Sequence, residues 1–310
     1  MTQSRDRLVA ILALLPSILL IAIFVYGFIA WTGYTAMTDS NALQQLSGQP
    51  SNFIGLQNFT ELFTGVLNQR FRVDVVNTVF FTLLFIAACL GLGMGLAVLL
   101  DQHVAGEGIF RTIFLFPMAL SFVVTGVVWK WLFNPASGIN RLPTFIGQPA
   151  GTFRWFISED RWLQFNWQNI GQIIAIIVLD VIIIMALIYW SRSRRQAASF
   201  AVAIALLLMN WILLEGPQQI TALDRPEMHG FNVALFAVVL AAAWQMSGYT
   251  MAMYLAGLRG IPEELREAAR VDGAGEWGVY RYIVFPMLRP ITLSAMIILG
   301  HQSLKIFDLV

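Results

Sequence analysis

The sequence predicts an all-α fold, a polytopic transmembrane helical bundle, on three observations. Apolar residues come in long runs, and a helix needs about 20 residues to cross a bilayer. Charged residues make up 12% of the chain, about half the share of an ordinary soluble domain. Arginines crowd some of the stretches between the runs and are sparse in the others, as expected where basic residues are held on one side of a membrane.

Seven spans are predicted within a single domain, 1–310: 8–31, 76–100, 113–133, 169–190, 197–214, 231–257 and 283–301. The first follows MTQSRDR without a small-residue cleavage pattern, so it reads as an uncleaved span and not as a signal peptide. An N-terminus inside places 1–7, 101–112, 191–196 and 258–282 in the cytoplasm. These segments hold Arg5, Arg7, Arg111, Arg192, Arg194, Arg195, Arg259, Arg266, Arg270 and Arg281. The longer external stretches hold only Arg70, Arg72, Arg141, Arg154, Arg161 and Arg225. The second span contains Gly91 and Gly95 in G-x-x-x-G spacing, with Ala87 one step earlier. Two readings stand, generic close packing and a dimer-specific interface. Trp129, Trp131, Trp162, Trp167, Tyr189 and Trp190 fall at span ends and read as interfacial anchors. The seventh span ends outside at HQSLKIFDLV with no closing segment, which is the pattern of a chain lacking a last span.

Composition also narrows the chemistry. Cys89 is the only cysteine, which excludes an intrachain disulfide. His103, His229 and His301 form no metal-ligand spacing, no nucleophile has a partner nearby, and no P-loop occurs. The reading is therefore a non-catalytic chain that binds no cofactor or metal and implies no nucleic acid.

The densest charge lies in EELREAARVDGAGEW, Glu263 to Trp277. Ile261-Pro262-Glu263-Glu264 reads as a helix start, since proline suits the first turn and acids suit the positive end of the dipole. Gly273 is placed to stop that helix, and a second short helix is predicted from Glu276 to Val284. Leu265 and Ala269 share one predicted face with Ala268 and Asp272 nearby, while Glu264 and Arg270 lie on others. GAGEWG matches a dinucleotide-binding pattern, but a charged helix precedes it where a strand is required.

Glu267-Ala268-Ala269, three residues, Gly273, nine residues, Ile283-Val284-Phe285-Pro286 resembles the E-A-A loop of ABC importer permeases, with Phe285 in place of a leucine. GLQNFTELF, NTVFFTLLF, FRTIFLFPMALSFVVTGVVWKWLFNPASG, WQMSGYTMAMYLAGLRGIP and HQSLKIFDLV are similar to sugar permeases, most like glucose/mannose-type and maltose-permease-like importers. The resemblance covers about two thirds of the chain. It implies a MetI-like permease in the bacterial cytoplasmic (inner) membrane, with 258–282 as the coupling loop. Its implied partners are a cytoplasmic ABC ATPase homodimer that binds ATP and magnesium, a second homologous permease, a periplasmic or lipid-anchored sugar-binding protein, and the lipid bilayer. It assigns ATPase coupling to Glu264, Glu267, Ala268, Ala269, Arg270, Asp272 and Gly273. Against that pattern the hydrophobic hairpin 169–214 is an insertion, and a final span is missing.

For a sugar pathway the sixth span offers Trp244, Gln245, Ser247, Tyr249 and Thr250, and the last offers His301, Gln302, Ser303, Lys305 and Asp308. Lys305 and Asp308, three apart, would pair on a helix, or would cap a span at the interface. Ser121 and Thr125 in the third span bond either a ligand or their own backbone. Asp180 lies mid-span as a proton relay or a helix–helix bond. Asp180 or the Lys305/Asp308 pair would be the coupling site of the alternative, an ion-coupled secondary transporter of a small polar solute.

Overall fold

The computed structural model describes residues 2–102, 104–219 and 223–306. They form two compact units, Met1–Arg72 and Val73–Val310.

In the first unit α1 (Thr2–Ile21), a π-helical turn and α2 (Phe28–Ala36) follow one another directly. Ile11–Ala36 is apolar enough to cross a membrane, and none of its most apolar stretch is buried. α3 (Ala42–Ser47) starts with a capping box between Asn41 and Gln44 and ends on left-handed Gly48. The Asp39 carboxylate accepts from the Asn52 backbone N–H at 2.6 Å and its side-chain amide at 3.1 Å. These bonds hold its pKa below the usual aspartate value. α4 (Gln57–Thr64) is closed by Arg72, whose guanidinium donates to the carbonyls of Leu62 and Gly65.

α5 (Gln69–Asp101) continues into the second unit as 33 uninterrupted helical residues. α6 (Glu107–Leu115), a 3-10 turn at Phe116–Ala119, and α7 (Phe122–Leu132) follow. The segment predicted as one span, 113–133, is thus broken: its two halves meet at 102°. Leu120 and Ser121 are extended there, and the Ser121 hydroxyl caps α7 by accepting from the Val124 N–H at 3.3 Å. A break frees backbone groups, which must find partners at membrane depth. Gln245 supplies one, its side-chain amide donating to the Leu120 carbonyl at 2.7 Å.

β1 (Arg161–Asn166) and β2 (Met228–Asn232) form a small antiparallel ribbon, irregular between Trp162 and Phe165. The all-α reading did not include it. Between the strands lie α8 (Ile170–Ser191) and α9 (Arg195–Leu213). These two pack along a seam of small residues, with Ala175 and Ala186 buried on α8 and Ala198, Ala201 and Ala205 on α9.

α10 (Ala234–Arg259) is the central helix of the second unit. Its small residues let neighbours come close. A Cβ on Gly248 would lie 2.0 Å from the Phe114 carbonyl oxygen, and one on Gly257 2.2 Å from Ile291. From the other side Gly93 of α5 admits Thr250, whose hydroxyl donates to the Cys89 carbonyl at 2.7 Å. Gly91 and Gly95 meet nothing within 4 Å. Close packing inside this chain therefore belongs to Gly93, between them, and the G-x-x-x-G pair faces outward. α11 (Glu263–Val271), α12 (Glu276–Val279), a π turn and α13 (Phe285–Ser303) complete the described chain. Among the described residues, six helices are long and apolar enough to cross a membrane, or seven if the bent pair is one span.

Candidate functional site

The charged loop is built by local rules. α11 begins after extended Pro262, with Glu263 and Glu264 in its first turn and Arg270 in its last. It ends in a Schellman motif around Gly273, whose φ is +86°. The Ala274 N–H reaches back to the Ala269 carbonyl at 2.9 Å, and the Gly273 N–H to that of Arg270 at 3.0 Å. Gly273 is where the chain needs left-handed backbone, and GAGEWG is the bend that results. Arg270 staples the bend: it donates to Glu276 at 2.9 Å and to Glu263 at 3.1 Å. Glu276 first, and Glu263 next, keep its guanidinium protonated still more firmly than usual. All three groups are exposed, so the staple fixes geometry more than it adds stability.

The two alanines take different positions. Ala269 packs inward on a cluster that includes Ala97, Leu100, Leu258, Ile261 and Val284, while Ala268 is exposed next to exposed Glu267. Leu265, predicted to share the face of Ala269, is 43% exposed. Glu264 and Asp272 are exposed too. The outward surface is thus an acid-rich strip interrupted by Leu265, Ala268 and Val271.

A second constellation lies in the packed helices. Gln245 is buried, with one amide hydrogen on Leu120 and its carbonyl oxygen unpartnered. Thr125 and Trp129 are one turn apart on α7, and the Thr125 hydroxyl and the Trp129 indole nitrogen are likewise buried without a partner. The Trp129 ring lies edge-on to Trp244, 5.7 Å between centroids. Trp129 is therefore part of this seam, not a simple interfacial anchor; its one-turn spacing from Thr125 was the available signal. Ser247 contacts the Trp244 carbonyl of its own helix at 3.4 Å, and Tyr249 is half-buried against the core. Ser121 serves as the cap described above, one of the two roles open to it in the sequence.

The remaining candidates do not join this seam. Ser303 accepts from Thr82 at 2.9 Å, tying α13 to α5. His301 is exposed in the last turn of α13. Lys305 is exposed beyond the helix end at Ser303, so the helical spacing needed for an ion pair ends before it, and Asp308 lies outside the described residues. Asp180 is exposed at the middle of α8, not within the bundle.

The described residues thus combine membrane-length helices with a short, stapled, charged helix between α10 and α13. The family model "Binding-protein-dependent transport system inner membrane component" matches residues 197–309. A probable ABC transporter permease of Pyrococcus horikoshii is 33% identical over the whole of this chain and 80% of its own length. A xylose/arabinose import permease of Haloferax volcanii is 30% identical over 93% of this chain and 66% of its own length. The crystal structure of a bacterial importer of the acidic polysaccharide alginate shares the fold, with a TM-score of 0.56 at 19% identity, covering 97% of this chain and 75% of that one. The chain belongs to the ABC importer permeases.

Proposed function

We propose that this chain is one membrane subunit of an ATP-driven importer of saccharides, with glucose- or mannose-type sugars as its substrate class. One observation carries the coupling half of this reading. Glu267, flanked by exposed Ala268, stands out on a helix whose end is fixed by left-handed Gly273 and whose bend is stapled by Arg270. Such a helix presents an acid and a small side chain to a groove without having to order itself first. Its partner is a cytoplasmic ATPase dimer that binds ATP and magnesium, so the loop and the N-terminus lie in the cytoplasm. A second permease and a substrate-binding protein complete the assembly. The permeases named for xylose and arabinose and for sn-glycerol 3-phosphate support a polyhydroxylated substrate.

The sugar half rests on the unpartnered Thr125, Trp129 and Gln245 atoms. A buried polar group without a partner costs about 1–3 kcal/mol, and a hydroxyl-rich ligand offers both donors and acceptors. Trp244, 37% exposed, supplies an aromatic face beside them.

The test is uptake of labelled glucose, mannose and xylose into proteoliposomes holding the complete complex. Glu267→Arg is expected to abolish ATP-driven uptake and to weaken co-purification of the ATPase. Uptake that persists without the ATPase and collapses with the proton gradient would overturn the reading.

A further inference from the structure

A short surface helix moves a membrane bundle only through what fastens it, and α11 is fastened in an asymmetric way. Its covalent links are to α10, through the three residues Gly260, Ile261 and Pro262, and to α12, through the four residues 272–275. Its apolar seat is thin, for Ala269 packs inward while Leu265 and Val271 stay exposed. The strongest fastening is Arg266, the least exposed charged side chain of the helix at 13%. One guanidinium nitrogen meets the Asp101 carboxylate at 3.0 Å and another donates to the Leu258 carbonyl at 2.8 Å. Asp101 is the last residue of α5 and is itself only 9% exposed. A screened, exposed ion pair contributes little, whereas a sheltered, doubly bonded one holds its geometry. By that measure the neighbouring Glu107–Arg259 pair, which ties α6 to α10, is the weaker one, 2.7 Å long but 24% and 40% exposed.

We propose that Arg266 and Asp101 form the joint through which displacement of α11 is passed to α5, and that this pair, not the covalent links to α10 and α12, makes α5 follow the ATPase. The inference rests on the importer reading above. α5 is suited to carry the motion: its 33 residues form one rod of about 50 Å. The rod is pinned to α10 at Cys89–Thr250 and to α13 at Thr82–Ser303. The joint also lines an open cleft of roughly 330 Å³, with Glu263, Arg270, Glu276 and Tyr280 among its walls. The cleft leaves α11 room to tilt once the joint is released. Arg266 and Asp101 are positioning residues, since neither is placed on the substrate or on the nucleotide.

The test uses the assembled complex in nanodiscs, with spin labels at Val271→Cys on α11 and Leu83→Cys on α5, and Cys89→Ala to leave no other thiol. Both labelled sites are exposed. The distance between labels is read by pulsed electron resonance before and after trapping with ATP and vanadate. With the joint intact the two helices move together, and the distance is expected to stay the same. Asp101→Asn leaves the Leu258 bond in place but removes the charge on α5, and a shift of several ångströms on trapping is expected. Asp101→Glu is expected to restore the constant distance. A distance that stays constant in Asp101→Asn and Arg266→Gln, or one that changes on trapping in the intact complex, would overturn the proposal. An ATPase that does not co-purify with the unmodified chain would instead remove the importer reading beneath it.

Discussion

α10 and the α8–α9 hairpin are both membrane-length helical segments, and their burial runs opposite to their hydropathy. Trp167–Ser191 has a mean hydropathy of 2.9 with 17% of its most apolar stretch buried, whereas Ala234–Arg259 has 1.3 with 61% buried. In a soluble protein the more apolar helix would be the core. In a bilayer lipid is as apolar as leucine, so hydropathy marks what faces lipid, and interiors collect small and polar residues. α10 shows this directly: Ala237, Ala241, Ala242, Ala243, Gly248 and Thr250 are buried along it. The hairpin buries chiefly the seam between its own two helices.

The sharpest way to break this contrast is to add volume to each region. Gly248→Val places a Cβ 2.0 Å from a backbone oxygen that has no rotamer to change. We expect a loss above about 3 kcal/mol, at the upper end of overpacking costs, seen as collapse of folded yield in detergent. Gly91→Val, on the open face of α5, is expected to leave the stability of the isolated chain within about 0.5 kcal/mol. If Gly91→Val is as destabilising as Gly248→Val, the placement of Gly91 on the open face of α5 is wrong.

Charge separates the regions next. Asp180 is exposed between Leu179 and Val181 at the centre of α8. A mid-span aspartate costs about 2.5–3.5 kcal/mol on insertion scales. Asp180→Leu is therefore expected to favour insertion of the hairpin by about that amount, measured as the inserted fraction during membrane translation. Equal insertion of both forms would mean that the carboxylate is already satisfied in the membrane.

How much of this was legible depended on the range over which each feature is determined. The bend at Gly273 and the start of α11 follow from neighbouring residues, and the sequence read them well. The broken third span was signalled by Pro117 and Ser121, but its length and apolarity resembled those of a whole span. The ribbon joins residues more than sixty positions apart, and nothing local in RWLQFN or MHGFN declares that pairing. Of the two readings of the G-x-x-x-G motif, close packing inside this chain falls to Gly93 and not to Gly91 or Gly95. Which side of α5 faces α10 depends on Thr250 and Cys89, which are 161 positions apart. In the site, the exposure of Glu267 came from local helix geometry. The unpartnered seam around Gln245 required the fold.

That seam gives the smallest effect and the most specific one. Thr125 is fully buried, and its hydroxyl has no hydrogen-bond partner. Replacing it with valine keeps the shape and removes an unsatisfied group, which is expected to stabilise the chain by about 1 kcal/mol. A residue serving packing alone would show that gain with transport unchanged or improved. If the hydroxyl is held for a sugar, Thr125→Val will raise the unfolding temperature and also raise the KM for uptake, leaving ATPase association intact. A higher unfolding temperature with unchanged KM would place the seam outside the sugar pathway. The two readouts moving in opposite functional directions is what distinguishes a binding residue from a packing residue on α7.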